Sequence, residues 1–335
     1  MASIRDRLKP DTMVKVLFGE DGKEDPPRFV IAYWSIRGLA APLRAMLSAA
    51  QVNHEVCLYD LTEGEGQGWD MHTYAADKNW LKEEYNCFMN LPFLVDNKRN
   101  IVLAQTNAIF NYLGRELNMN GKDEIQQAKT EELLCELMDL RDKMVHFVYQ
   151  TDGSVPEAEA LLKKAKAHLR KLEHHLEKTY PDHFMNMQAS ESNGPKTSEQ
   201  AKQGVCHLLP GCFTAPDFHL WEMLDQYTGL AKTYGLPLWA DNGEEKSTVV
   251  NYQARPDVKP SDRPFPYLEE FKTSFMLLPE NKPYAASYLQ TELPCNNCMG
   301  SFASSPENFK KYVRGQPAAW RKKGEVTVQY PKTTA

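Results

Sequence analysis

Tyr33 closes a short apolar run, Phe29-Val30-Ile31-Ala32-Tyr33, and helical spacing begins a few residues later. A phenol at the carboxyl end of a buried strand stands over the cleft between the sheet and the next helix, where it can donate a hydrogen bond to an anion. Were that anion a thiolate, the bond would lower the thiol's pKa from about 8.5 toward neutrality. The plainer reading is a core tyrosine with a satisfied hydroxyl. Gln105-Thr106-Asn107 opens another helix, and its first amides with the Thr106 hydroxyl suit a carboxylate; taken alone, Thr106 is a helix cap. Asn90-Leu91-Pro92 precedes a strand. An X–Pro bond is ordinarily trans, whereas a cis Pro92 would turn the preceding backbone toward a ligand, to pair like an added strand. Cys295-Asn296-Asn297-Cys298 has metal or redox spacing, but no second Cys/His pair lies at zinc-finger distance. A surface thiol pair is the default there, and no metal site is assigned.

The elements that must hold these groups follow from the pattern of apolar residues. Residues 29–33 are long enough for one buried strand, and Leu39, Leu43, Met46 and Leu47 give a helix with Pro42 in its first turn. Residues 54–59 form a second strand, and 61–68, rich in Gly and Glu, form a loop. Strands at 93–95 and 101–104 flank a turn at 96–100, and a helix runs from Thr106 to about Leu117. The order is βαβ, hairpin, helix, a mixed α/β domain over residues 28–120. Beyond Gly121 the spacing is helical. Leu133, Leu137, Leu140, Met144 and Val148 make one apolar face, and Leu162, Ala165, Leu169, Leu172 and Leu176 another, as in a helical bundle. This second domain covers 121–290, with polar, Pro- and Gly-containing insertions near 183–211 and 235–263. Between them Thr214 and Asp217 have capping-box spacing. Residues 1–27 read as an N-terminal extension. Residues 291–335 read as a polar tail that wraps the surface or is partly without order.

The 335 residues suggest two domains, and 42% hydrophobic with 25% charged residues is ordinary for a globular protein. A net charge of −6 argues against nucleic acid as the main partner. No run approaches the roughly 18–20 apolar residues of a membrane span. Residues 1–18 lack a secretory apolar core; Arg5, Arg7 and Lys9 allow a weak transit peptide, against which Asp6 and Asp11 count. Seven scattered cysteines, an odd number, fit a reducing compartment, so the expected location is cytoplasmic.

Tyr33-Trp34-Ser35-Ile36-Arg37-Gly38-Leu39-Ala40, Trp80-Leu81, Asn90-Leu91-Pro92-Phe93-Leu94-Val95-Asp96 and Gln105-Thr106-Asn107-Ala108-Ile109 occur in the order and spacing of a cytosolic glutathione transferase. The sequence resembles the mu class in particular. The likeness is specific over 28–121 and thinner through the helical half, where Met138-Asp139, Tyr149, the Thr214–Asp217 box and Phe265-Pro266-Tyr267-Leu268 follow the same pattern. The resemblance implies an α/β thioredoxin-like N-terminal domain plus an all-α helical bundle C-terminal domain, assembled as a homodimer. It implies that Tyr33 stabilises the thiolate of glutathione, a co-substrate, with no metal, for attack on a small hydrophobic electrophile in detoxification. Isomerase or peroxidase chemistry could use the same site. By the same likeness Gln105 and Thr106 hold the γ-glutamyl carboxylate, and Leu91 with Pro92 pairs with the cysteinyl backbone. Trp34, Leu39, Trp80 and Asn90 line the peptide, Asp139 reaches the ammonium of the neighbouring subunit's glutathione, and Tyr149 borders the electrophile pocket.

Two positions depart from the mu pattern. Asp77 stands where an arginine precedes the tryptophan, and Glu84 stands where a lysine follows it, with Lys78 and Lys82 close by. Losing two cations near a carboxylate would weaken binding by a few kcal/mol at most. With the insertions and the tail, these departures support an alternative: a glutathione transferase-like scaffold or assembly subunit without turnover. The insertions or the tail would then bind another protein.

Overall fold

The computed structural model describes residues 3–19, 27–65, 68–183, 206–211, 213–238, 263–302 and 324–331. The chain divides into two compact units, Met1–Leu117 with Pro283–Ala335, and Asn118–Lys282. Most of the two expected insertions lies outside the described residues.

The first unit contains α1 (Ile4–Arg7), β1 (Thr12–Phe18), β2 (Phe29–Trp34), α2 (Ala41–Ala49) and β3 (His54–Tyr59). A short pair, β4 (Thr62–Glu63) and β5 (Trp69–Asp70), leads into α3 (His72–Glu84). Then follow β6 (Phe93–Asp96), β7 (Ile101–Ala104), α4 (Thr106–Glu116) and, far along the chain, β8 (Gly324–Tyr330). The main sheet runs β7-β6-β2-β3-β1-β8. β2 is parallel to β3 and antiparallel to β6, so the apolar run at 29–33 becomes a central strand and is buried throughout.

The described parts of 1–27 and 291–335 differ from their reading as an extension and a tail. β1 pairs antiparallel with β3, from Thr12↔Leu58 to Val16↔His54, and β8 pairs parallel with β1 from Thr12↔Gly324 to Phe18↔Tyr330. The cause is in the sequence: Val14, Val16 and Phe18 alternate with Lys15 and Leu17, and all three are at most 2% exposed. With β1 beside it, β3 is an interior strand and every residue in it is buried. The segment after the helix Tyr288–Thr291 also packs into this unit, where Leu293, Cys295 and Phe302 are buried.

Among the described residues the second unit is helical apart from its connections. α5 (Glu124–Gln150) starts where the Asp123 side chain accepts from the Gln126 amide, and α6 (Val155–Thr179) follows. Both apolar stripes read from the sequence are buried. α7 (Ala215–Tyr234) begins at the Thr214–Asp217 capping box and ends at Gly235, whose φ of 64° suits a left-handed helix cap. α8 (Pro266–Phe275) completes this set of longer helices. No helix among the described residues is long and apolar enough to cross a membrane.

Candidate functional site

Strand register decides which candidate residues meet. Ala32 of β2 faces Phe93 of β6, and Phe93 faces Ala104 of β7. The next residues at that end of the sheet are Tyr33, Pro92 and Gln105, so three segments far apart in sequence reach one sheet edge. Tyr33, Leu91, Trp34, Leu39 and Trp80 belong to one packed cluster, with Tyr33 at 8% exposure and Trp34, Leu39 and Trp80 partly buried at its border. Asn90 is exposed beside it.

The loop after β2 is held against Tyr33. Gly38 has φ +41°, and a Cβ built there would lie 2.5 Å from Tyr33 Cε1 and 3.0 Å from its hydroxyl oxygen. Only glycine lets the backbone approach the ring so closely. The loop is fixed on every side. The Ser35 amide donates to the Tyr59 carbonyl (2.8 Å), and the Ser35 hydroxyl to Asp60 Oδ1 (2.6 Å). Arg44, fully buried, donates to the Ile36 carbonyl (2.9 Å). The amides of Arg37 and Gly38 donate to the carbonyls of Pro294 (2.7 Å) and Cys295 (3.0 Å). The 291–302 segment therefore helps to shape the loop, a role that its polar composition does not announce.

The Leu91–Pro92 bond is cis, the less common of the two isomers open to it. Gln105, at the start of α4, has φ 73° and ψ 114°, an unusual conformation for a residue other than glycine. Such strain occurs preferentially at functional sites. No side chain caps α4, so the plain reading of Thr106 as its cap does not describe this helix. Thr106 is instead its first residue, 8% exposed, and the first-turn amides there suit an anion.

Asp77 and Glu84 take their meaning from the N-terminal segment. Asp77, 2% exposed, accepts from the Tyr59 hydroxyl (2.7 Å), the Lys9 amide (2.8 Å) and the Trp80 indole N–H (3.2 Å). Arg7 lies over the Trp80 ring at 3.9 Å and grips both oxygens of Glu84 at 2.5 and 2.6 Å. The Arg7 hydrogen bonds hold the Glu84 carboxyl below its ordinary value. The two acids that look like lost cations are thus the partners of α1 and the residues after it. Burial pushes the Tyr59 hydroxyl well above its ordinary value, which keeps it a hydrogen-bond donor to Asp77.

Asp139 and Tyr149 lie on α5 in the other unit, the first exposed and the second half-buried. Among the described residues no group of three or more His, Cys, Asp or Glu side chains could hold a metal ion. Sequence reasoning passed over the site contacts of Arg7 and Lys9, the loop clamp Arg44, and the Pro294 and Cys295 carbonyls that hold the loop. The alternation at 12–18 was the one signal available for the N-terminal contacts.

Residues 29–115 match the family described as "Glutathione S-transferase, N-terminal domain". The chain is 33% identical over 125 residues to Glutathione S-transferase Mu 1 of Oryctolagus cuniculus, covering 36% of this chain and 53% of that protein. It is 32% identical over 126 residues to Glutathione S-transferase Mu 3 of Homo sapiens, covering 37% and 52%. The chain thus spans about half the length of the curated relatives it matches. Among solved structures, a Pi-class glutathione S-transferase of Onchocerca volvulus superposes with a TM-score of 0.53 at 20% identity, over 82% of this chain and 99% of that one. The glutathione S-transferase Blo t 8 superposes with a TM-score of 0.57 at 18% identity, over 82% and 100%. These two likenesses establish the fold: a thioredoxin-like unit with an all-helical one.

Proposed function

From the match of residues 29–115 to the glutathione S-transferase N-terminal domain family, we propose that the chain is a glutathione transferase acting on small hydrophobic electrophiles. The observation that carries the reading is the convergence of Tyr33, the Leu91-Pro92 segment and the uncapped start of α4 at one sheet edge. In this reading the Tyr33 hydroxyl donates to the sulfur of bound glutathione and favours its thiolate. The thiol proton leaves to solvent, and the sulfur attacks the electrophile directly, with no covalent bond to the protein. Thr106 and Gln105 hold the γ-glutamyl carboxylate at the α4 amides, and Leu91 with Pro92 pairs with the cysteinyl backbone. Trp34, Leu39, Trp80 and Asn90 line the peptide. Positioning supplies the rest of the rate. Asp139 and Tyr149 act in a cytoplasmic homodimer, at the neighbouring glutathione and the electrophile respectively.

Calorimetric titration of glutathione tests the reading. Wild-type protein should bind in the micromolar to low-millimolar range, and Thr106→Ala should bind more weakly. Absence of binding by wild type would reject it. One observation favours a second reading, a non-catalytic scaffold: the Trp80 indole N–H is already given to Asp77, and Glu84 is tied to Arg7. A chain that ignores glutathione and purifies within a larger complex would establish that alternative.

A further inference from the structure

Cys295 and Cys298 stand outside the site described above, yet next to the loop that forms it. Their spacing is that of dithiol redox pairs. The backbone bends at Cys295 and Asn296 and turns through Cys298 and Met299. The bends at Cys295 and Asn296 fold the chain between the two cysteines, whose Cα atoms must come within about 7 Å for a disulfide to close. The turn itself spans residues 297–300, closed by the Gly300 amide donating to the Asn297 carbonyl (3.1 Å), and the Asn296 side-chain amide before it donates to the Phe302 carbonyl (3.0 Å). Both cysteines are thiols. They differ in access, since Cys295 is 2% exposed while Cys298 is partly exposed, with its sulfur 3.7 Å from the Leu61 carbonyl oxygen. Cys298 also lines a small pocket with Trp34, Ser35, Ile36 and Leu61.

We propose that Cys298 and Cys295 form a thiol–disulfide exchange pair that reacts with small-molecule disulfides and whose redox state sets the loop carrying Gly38. Access assigns the order of events. The Cys298 thiolate attacks one sulfur of a disulfide RSSR, a mixed disulfide forms, and the first RS⁻ leaves. Cys295 then gives up its proton and attacks the Cys298 sulfur, and the second RS⁻ leaves. The balance is two protein thiols and one RSSR giving one protein disulfide and two RSH; the protein is oxidised by two electrons and the small disulfide is reduced. The Cys295 carbonyl accepts from Gly38, and the Pro294 carbonyl accepts from Arg37. Closing the disulfide therefore changes the backbone to which the Tyr33 loop is tied. That coupling to Tyr33, unlike the exchange itself, rests on the glutathione reading.

The full-length protein is equilibrated with glutathione disulfide and, separately, with bis(2-hydroxyethyl) disulfide, then acid-quenched, alkylated, digested and analysed by mass spectrometry. The expected result is joint loss of alkylation at Cys295 and Cys298, their peptide lighter by two hydrogens. The exposed Cys87 and Cys135, with no cysteine three residues away, should acquire only mixed disulfides. Cys295→Ser should trap the small thiol on Cys298. Two thiols that remain alkylatable in either oxidant, or a mixed disulfide that persists on wild-type Cys298, would overturn the pair. The hydroxyethyl reagent carries no peptide, so oxidation by it tests the pair whether or not the protein binds glutathione. The coupling is read by glutathione titration, which should show weaker binding to oxidised than to reduced wild type and one affinity for Cys298→Ser under both conditions. Equal affinity of the two wild-type states would overturn the coupling.

Discussion

Gly38→Ala is the sharpest single perturbation of the proposed site, because the added atom meets the tyrosine itself. The new Cβ would lie 2.5 Å from Tyr33 Cε1, 3.0 Å from its hydroxyl oxygen and 3.1 Å from Ile36 Cδ1. Carbon atoms rest at about 3.5–4.0 Å, so the ring or the loop must move by about 1 Å. The loop has little freedom to do so, being held by Tyr59, Arg44, Pro294 and Cys295. Alanine at φ +41° adds about 1 kcal/mol of backbone strain. A hydrogen bond to a charged group is worth about 1.5–3 kcal/mol, so misplacing the hydroxyl should raise the pKa of bound glutathione by about one to two units. A shift of 1 Å in a positioned group also costs rate on the order of 100-fold. The assay is titration of the bound thiol by its thiolate absorbance, alongside turnover and urea unfolding. Tyr33→Phe removes the bond without the strain, so it should raise the thiol pKa similarly while leaving stability nearly intact. Adding Gly38→Ala to Tyr33→Phe should then shift the thiol little further. A Gly38→Ala protein whose bound thiol titrates like wild type, with stability changed by less than about 0.5 kcal/mol, would refute the reasoning.

Two further predictions concern the framework. Glu173 accepts from the amides of Tyr267 and Leu268 at the start of α8, and burial pushes its carboxyl up to about 7 despite those bonds. A carboxyl raised above its unfolded value contributes stability at low pH and loses it as pH rises through the folded value. Thermal stability should therefore fall between about pH 4.5 and 8, by up to roughly 3 kcal/mol, and Glu173→Gln should flatten that slope; parallel slopes for the two proteins would count against it. Asp96 is fully buried, and although burial opposes its charge, Arg28 and the Tyr112 hydroxyl hold its carboxyl below the ordinary value. Asp96→Asn leaves Arg28 without that charge and should cost about 3 kcal/mol in urea unfolding, whereas a loss under about 1 kcal/mol would show the pair to be dispensable.

The parts of the fold that could be read from the sequence are those whose partners lie nearby. The run at 29–33 and the 93–104 hairpin carry their own apolar pattern, and a hairpin brings Pro92 beside Gln105 through its register alone. The α5 and α6 stripes were legible because a helix repeats its buried face every three to four residues. α3 was not: among its residues only Tyr74, Asp77 and Leu81 are buried, which is too sparse a stripe to mark a helix. The pairing of residue 12 with residue 324 lies further beyond local inference, since alternation identifies a strand but never its neighbour. The acids of α3 show the consequence at the site. Read along the chain, Asp77 and Glu84 are subtractions of positive charge from a pattern. Read in space, the first is a buried acceptor for Lys9, Tyr59 and Trp80, and the second is the counter-ion of a guanidinium stacked on Trp80. A lysine at residue 84 would face Arg7, and an arginine at residue 77 would enter a buried pocket built for an acceptor. The N-terminal segment and the two acids are therefore structurally joined, Lys9 through its amide to Asp77 and Arg7 through its guanidinium to Glu84.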